Sequence, residues 1–69
     1  MEEYKIRGWV ARDADGYLNF GGNKPQRIEN YWGGFFELIE LNPYFFPDLK
    51  WEDEPIEVEC LIRKIEHKK

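Results

Sequence analysis

The sequence has little to staple itself with. Among its 69 residues there is one cysteine, Cys60, and one histidine, His67. Neither an internal disulfide nor a Cys/His zinc site can be built from them. No stretch approaches the roughly 20 apolar residues that span a bilayer, and Met1-Glu2-Glu3-Tyr4-Lys5 lacks the basic and apolar regions of a signal peptide. The expectation is a single domain in the cytoplasm, where Cys60 acts as a small buried hydrophobe. A chain of this length buries only about 60% of the surface its unfolded form exposes, so the core carries the fold alone.

Aromatic side chains are what the sequence has in abundance: five Phe, four Tyr and three Trp, 17% of the chain. Each ring can bury roughly 150–250 Å², which accounts for a fold without cross-links. Twelve rings exceed what a small two-layer domain hides, so some are expected at the surface as a patch that meets another chain.

Charge is unevenly laid out. Residues 1–27 carry a net +1, residues 28–59 a net −8, and residues 60–69 a net +3, within an overall −4. An acidic centre argues against a grip on phosphates, where nucleic-acid binders place Lys and Arg. It suits a partner of positive charge, or serves simply as the solvated face of a small domain.

Residues 4–11 alternate Tyr4, Ile6, Gly8 and Val10 with Lys5, Arg7, Trp9 and Ala11, the period of a half-buried strand. Asp13-Ala14-Asp15-Gly16 is a turn signal, and Tyr17–Phe20 returns as a second strand. Gly21-Gly22-Asn23-Lys24-Pro25 opens a loop that runs through Asn30. Residues 31–39 read as a third strand, bent at Gly33-Gly34. Leu41–Pro47, bounded by two prolines, predicts a turn or one short helical turn that packs its rings under the sheet, with Asn42 as cap. The run Ile56–Arg63 alternates apolar and charged residues up to Cys60 and predicts the last strand, reaching towards Ile65, with 67–69 a frayed tail. A helix over 57–66 is the rival reading, since Val58, Leu61, Ile62 and Ile65 also share helical spacing. The fold class is therefore mainly β, a small antiparallel sheet of three or four strands, or α+β if that helix forms.

No constellation for catalysis emerges. Asp13-x-Asp15-Gly16 lacks the later ligands of a calcium loop, and Gly21-Gly22-Asn23-Lys24 has neither P-loop spacing nor a strand-to-helix context. Glu52, Asp53, Glu54, Glu57 and Glu59 supply carboxylates for a metal-dependent hydrolase only if a loop makes them converge, because neighbours in a strand point to opposite faces. Neither a cofactor nor a metal is expected. A second alternative is a nucleic-acid module using Lys5, Arg7, Trp9 and Arg12 on the first hairpin, with bases stacking on Trp9; against it stands Trp9 packed across the hairpin with an arginine over it.

Gly8-Trp9-Val10-Ala11-Arg12-Asp13 with Asp15-Gly16, then Lys24-Pro25, Tyr31-Trp32, and above all the run from Phe46 to Glu59, Phe-Pro-Asp-Leu-Lys-Trp-Glu-Asp-Glu-Pro-Ile-Glu-Val-Glu, resemble a group of very short proteins from gut-type bacteria and the phages and mobile elements they carry. The resemblance implies that setting and no activity. The function expected is non-catalytic protein binding by an accessory module. Its contact surface joins exposed members of Trp32, Tyr44, Phe45 and Trp51 to the acidic rim Glu52, Asp53 and Glu54. A homodimer formed by pairing of edge strands is a further expectation.

Overall fold

In the computed structural model, which describes residues 2–36 and 38–67, alternation at the amino-terminal end becomes the ten-residue strand β1, Glu3–Arg12. The Asp13–Gly16 turn closes through Gly16 N–H to Asp13 O at 3.0 Å and Asp13 N–H to Tyr17 O at 2.8 Å. Gly16 adopts φ 97° there, a conformation that a side chain disfavours. Strand β2, Leu18–Gly21, returns against β1. β3 (Gln26–Ile28) and β4 (Tyr31–Gly33) form a separate hairpin. β5 (Ile39–Leu41) joins the other edge of β2, and β6 (Ile56–Arg63) the other edge of β1. The main sheet runs β5-β2-β1-β6, antiparallel throughout.

The fold is thus mainly β, and no helix occurs among the described residues. Residues 57–66 follow the strand reading as far as Arg63. Three details differ from expectation. The loop assigned to 21–30 contains β3, and the strand assigned to 31–39 is two strands belonging to different sheets, parted beyond the Gly33-Gly34 bend. Residues 42–49 make successive turns, with Phe45 N–H bonded to Asn42 O and Leu49 N–H to Phe46 O, and their rings do not tuck beneath the sheet: Tyr44, Phe45 and Phe46 are all exposed. The tail expected at 67–69 is described only at His67, which is exposed and outside any strand; Lys68 and Lys69 lie outside the described residues.

Register decides which face is buried. Val10 pairs with Phe20 on one side and Ile56 on the other, Gly8 with Val58, and Ile6 with Cys60; directly paired residues share a face. Because β5 and β6 occupy opposite edges, the chain from Asn42 to Pro55 crosses this face. That crossing delivers Leu49 onto Val10, Leu18 and Phe20, with Leu41, Ile56, Val58 and Cys60 packed around them. Cys60 is half-buried in this cluster. The far end of the β1–β6 ribbon has no such cover, and Tyr4, Ile6 and Ile62 stay exposed. The radius of gyration is 13.9 Å, against about 11 Å for a compact chain of this length; the extents are 49 × 22 × 16 Å.

Gly8 sits mid-strand for a steric reason. A Cβ there would overlap the Phe20 ring and approach Gly21 O at 2.6 Å. Gly8→Ala is expected to destabilise the fold by about 1–3 kcal/mol, read as a lowered urea midpoint with unchanged slope. A midpoint at or above wild type would show that the ring does not need this space.

Candidate functional site

Arg12, the last residue of β1, shares the buried face with Leu18 and so lies beneath the crossing chain. Its Nε donates to Leu49 O at 2.7 Å; Nη1 donates to Gly16 O and Pro43 O, each at 2.9 Å; Nη2 donates to Phe45 O at 2.9 Å and Phe46 O at 3.1 Å. A guanidinium has five N–H donors, and all of them are engaged. The carbonyls of the Pro43–Phe46 turn are drawn inward, and the side chains of that turn are left outside. Tyr44 is 85% and Phe45 52% exposed. Asn42 Oδ1 accepts the Tyr44 N–H at 2.9 Å, closing the turn from its own side chain. Tyr17 is exposed beside it, and a shallow open hollow is lined by Asp15, Gly16, Tyr17, Pro43 and Tyr44.

The second half of the expected surface divides. Trp32 is not exposed: it is 6% accessible. It meets Trp51 edge-to-face at a centroid distance of 5.9 Å and an interplanar angle of 66°. The Arg27 guanidinium lies 4.7 Å from both indole centroids and donates to Trp51 O at 2.9 Å. These contacts join the β3–β4 hairpin to the crossing chain through cation–π attraction. Trp32 therefore belongs to the packing, and its Nε1 is buried without a hydrogen-bond partner. Trp51 is half-buried, whereas Glu52, Asp53 and Glu54 are exposed. Asp53 Oδ2 accepts the Lys50 N–H at 2.9 Å, which fixes the start of this acidic rim.

Asp13 anchors the same hairpin from the other end. Its Oδ1 accepts the Trp32 N–H at 2.8 Å, its Oδ2 accepts from Asn19 Nδ2 at 3.2 Å, and Ala14 N–H reaches Asn30 O at 3.1 Å. Burial raises the Asp13 pKa above its ordinary value; the Trp32 amide opposes this, the Asp15 charge adds to it, and Asn19 opposes it again.

The residues weighed for nucleic acid fall elsewhere. Arg12 is occupied as described. In the β1–β6 register Arg7 faces Glu59 and Trp9 faces Glu57, so acidic residues interleave the basic ones. Lys24, not an arginine, covers the Trp9 ring at 5.5 Å. The Gly22–Pro25 loop is tied down by Asn23, whose Nδ2 donates to Gly34 O at 2.6 Å. Among the described residues no group of three or more His, Cys, Asp or Glu side chains is gathered closely enough to hold a metal ion.

Sequence reasoning had no signal for Tyr17 as a neighbour of Tyr44, or for Arg12 as the residue that holds the turn; both depend on contacts about 30 residues apart along the chain. No protein-family model, curated protein or solved structure matches this chain.

Two outcomes follow from this geometry. Arg12→Ala is expected to cost roughly 2–3 kcal/mol, since ionic hydrogen bonds to part-buried carbonyls are lost, and to lower backbone order parameters over 43–49 below about 0.6. Arg12→Lys, with three donors, recovers part of the stability. An unchanged loop in Arg12→Ala would refute the anchoring role. For Asp13, a raised folded-state pKa means that the native state binds more protons than the unfolded state between 3.8 and that higher value. Its stabilising contribution is present below 3.8 and lost as pH rises through the folded value. The stability of wild type relative to Asp13→Asn should therefore grow on acidification through this window, measured by urea unfolding at successive pH values.

Proposed function

We propose that this protein is a non-catalytic protein-binding module whose contact surface is the Tyr44-Phe45 turn with Tyr17 beside it, together with the exposed acidic residues Glu52, Asp53 and Glu54 of the same crossing chain. The supporting observation is the three hydrogen bonds by which Arg12 holds the backbone of that turn at Pro43, Phe45 and Phe46, with a fourth to Leu49 just beyond it, while the rings of Tyr44 and Phe45 face solvent. Large exposed rings normally lower solubility. Held on a fixed backbone they lose little entropy on binding, so their burial goes into affinity rather than into ordering a loop. Tyrosine suits the role because it offers apolar area and a hydroxyl together. The carboxylates of Glu52, Asp53 and Glu54 favour a partner that pairs an apolar pocket with basic groups, and they speed the encounter more than they deepen it.

The accessory role, and the bacterial or phage setting implied by the resemblance of the Phe46–Glu59 run, belong to the same proposal. A nucleic-acid role is supported less well, because Arg12 is engaged with carbonyls and Arg7 and Trp9 lie among glutamates.

The test is comparative capture from host extract followed by titration with the purified partner. Tyr44→Ala/Phe45→Ala is expected to weaken that partner's binding at least tenfold with the fold intact. Glu52→Lys/Glu54→Lys should instead reduce the association rate and flatten its dependence on salt. Equal affinity of wild type and both variants for every captured protein would overturn the assignment.

A further inference from the structure

β6 forms one edge of the main sheet over its full eight residues. Lys64 N–H donates to Glu2 O at 3.4 Å, one step past the Glu3–Arg63 pair in the β1–β6 register. Hydrogen-bonded and non-bonded pairs alternate along an antiparallel ladder. The backbones of Val58, Cys60 and Ile62 therefore turn towards β1, and those of Glu57, Glu59, Leu61 and Arg63 turn towards the open side. Edges are commonly blunted by charged side chains, proline or bulges. Between Glu57 and Arg63 this one has neither proline nor bulge, and its charges are of opposite sign at its two ends, so a reversed copy meets them with attraction.

We infer that β6 is the surface through which two copies of this chain join, antiparallel, about a two-fold axis at Cys60, so that each main sheet continues into the other. The sequence of the strand is complementary to its own reverse. With Cys60 on the axis, Glu57 faces Arg63 of the second copy, Glu59 faces Leu61, and Val58 faces Ile62. Each contact occurs twice, as an isologous interface requires. Opposite charges meet on one face, while Val58, Cys60 and Ile62 form a continuous apolar stripe on the other, giving the exposed Ile62 a neighbour. The Glu57–Arg63 and Glu59–Leu61 pairs are those with free amides and carbonyls, so each exchanges two N–H···O bonds. Competing alignments are worse. With Glu59 on the axis two glutamates collide; with Leu61 there, Glu59 meets Arg63, but Glu57 falls opposite Ile65, beyond the strand, and the paired ladder shortens to residues 59–63. A parallel pairing stacks glutamates on glutamates. Arg63 is free to turn, because its contact to Glu3 within the chain is a 4.0 Å surface pair with both side chains well exposed, of a kind that contributes little.

Cys60 supplies an independent readout. Across the axis the two cysteines form a non-hydrogen-bonded pair with Cα atoms about 4.5 Å apart, inside the range a disulfide spans. The experiment is sedimentation equilibrium of the full chain from roughly 10 μM to 1 mM, with thiol oxidation by diamide, which takes up the two electrons and two protons released as the two Cys60 sulfurs bond. The expected result is a species of twice 8.4 kDa that cross-links through Cys60. Arg63→Glu and Glu57→Arg should each raise the dissociation constant at least tenfold, and the double variant should restore it, with circular dichroism confirming folded chains. A monomer throughout the range, a dimer indifferent to both charge reversals, or a dimer whose Cys60 does not cross-link would overturn the inference. None of these readouts involves Tyr44 or Phe45, so this inference and the proposed partner-binding turn stand or fall separately.

Discussion

One guanidinium holds the molecule's irregular half to its regular half. Arg12 gathers carbonyls from the hairpin turn after β1 and from four positions of the chain that crosses the sheet. Those carbonyls belong to a segment without helix or strand, which would otherwise need water to satisfy them. A planar donor with no acceptor can serve several at once, and lysine cannot reproduce that fan. Leu49, whose carbonyl takes the shortest of these bonds, is also the loop residue that completes the core over Val10, Leu18 and Phe20. Hydrogen bonding and apolar burial thus fix the same residue from two sides.

The β3–β4 hairpin is attached by a comparable device of opposite chemistry. Arg27 rests on two indoles at once, and Asp13 takes the Trp32 amide. The hairpin turn itself is tight: Glu29 adopts φ 51°, which an L-residue with a long side chain accepts only when its surroundings hold it there. The cost is visible in the orphaned Trp32 Nε1, a buried donor whose indole is nevertheless retained for its contacts with Arg27 and Trp51.

The regular strands were legible because period-two alternation survives in β1 and β6 and because Asp13–Gly16 is strong turn chemistry. β3 was not, since Gln26-Arg27-Ile28 is too short to display a period and all three residues are exposed. β4 and β5 read as one strand because Glu37 alone interrupts the apolar run Phe35–Ile39, as a solvent-facing residue of a strand would; only the sheet partners distinguish them, and these lie far away in sequence. At the site, the exposure of Glu52–Glu54 was readable from their charge, whereas Tyr44 and Phe45 carried two opposed expectations, packed under the sheet or left at the surface, which only the carbonyls claimed by Arg12 decide. The burial of Trp32 was not, because it rests on Arg27, Trp51 and Asp13 together. Arg12 read as part of a basic patch, since the pattern of side chains says nothing of the backbone oxygens that claim it.

The order in which the sheet is assembled also constrains how the chain reaches it. β1 is central in the sheet yet finds its longest partner in β6, the last strand in chain order. On the ribosome, β1 can zip to β2 early, but one flank of it stays open until more than forty further residues have been translated. During that interval Val10, Leu18 and Phe20 wait for Leu49 and Ile56. Pairings so distant along the chain form slowly and leave sticky surface bare meanwhile. Any partly paired form in which β6 has not yet closed on β1 is thus the one most exposed to aggregation.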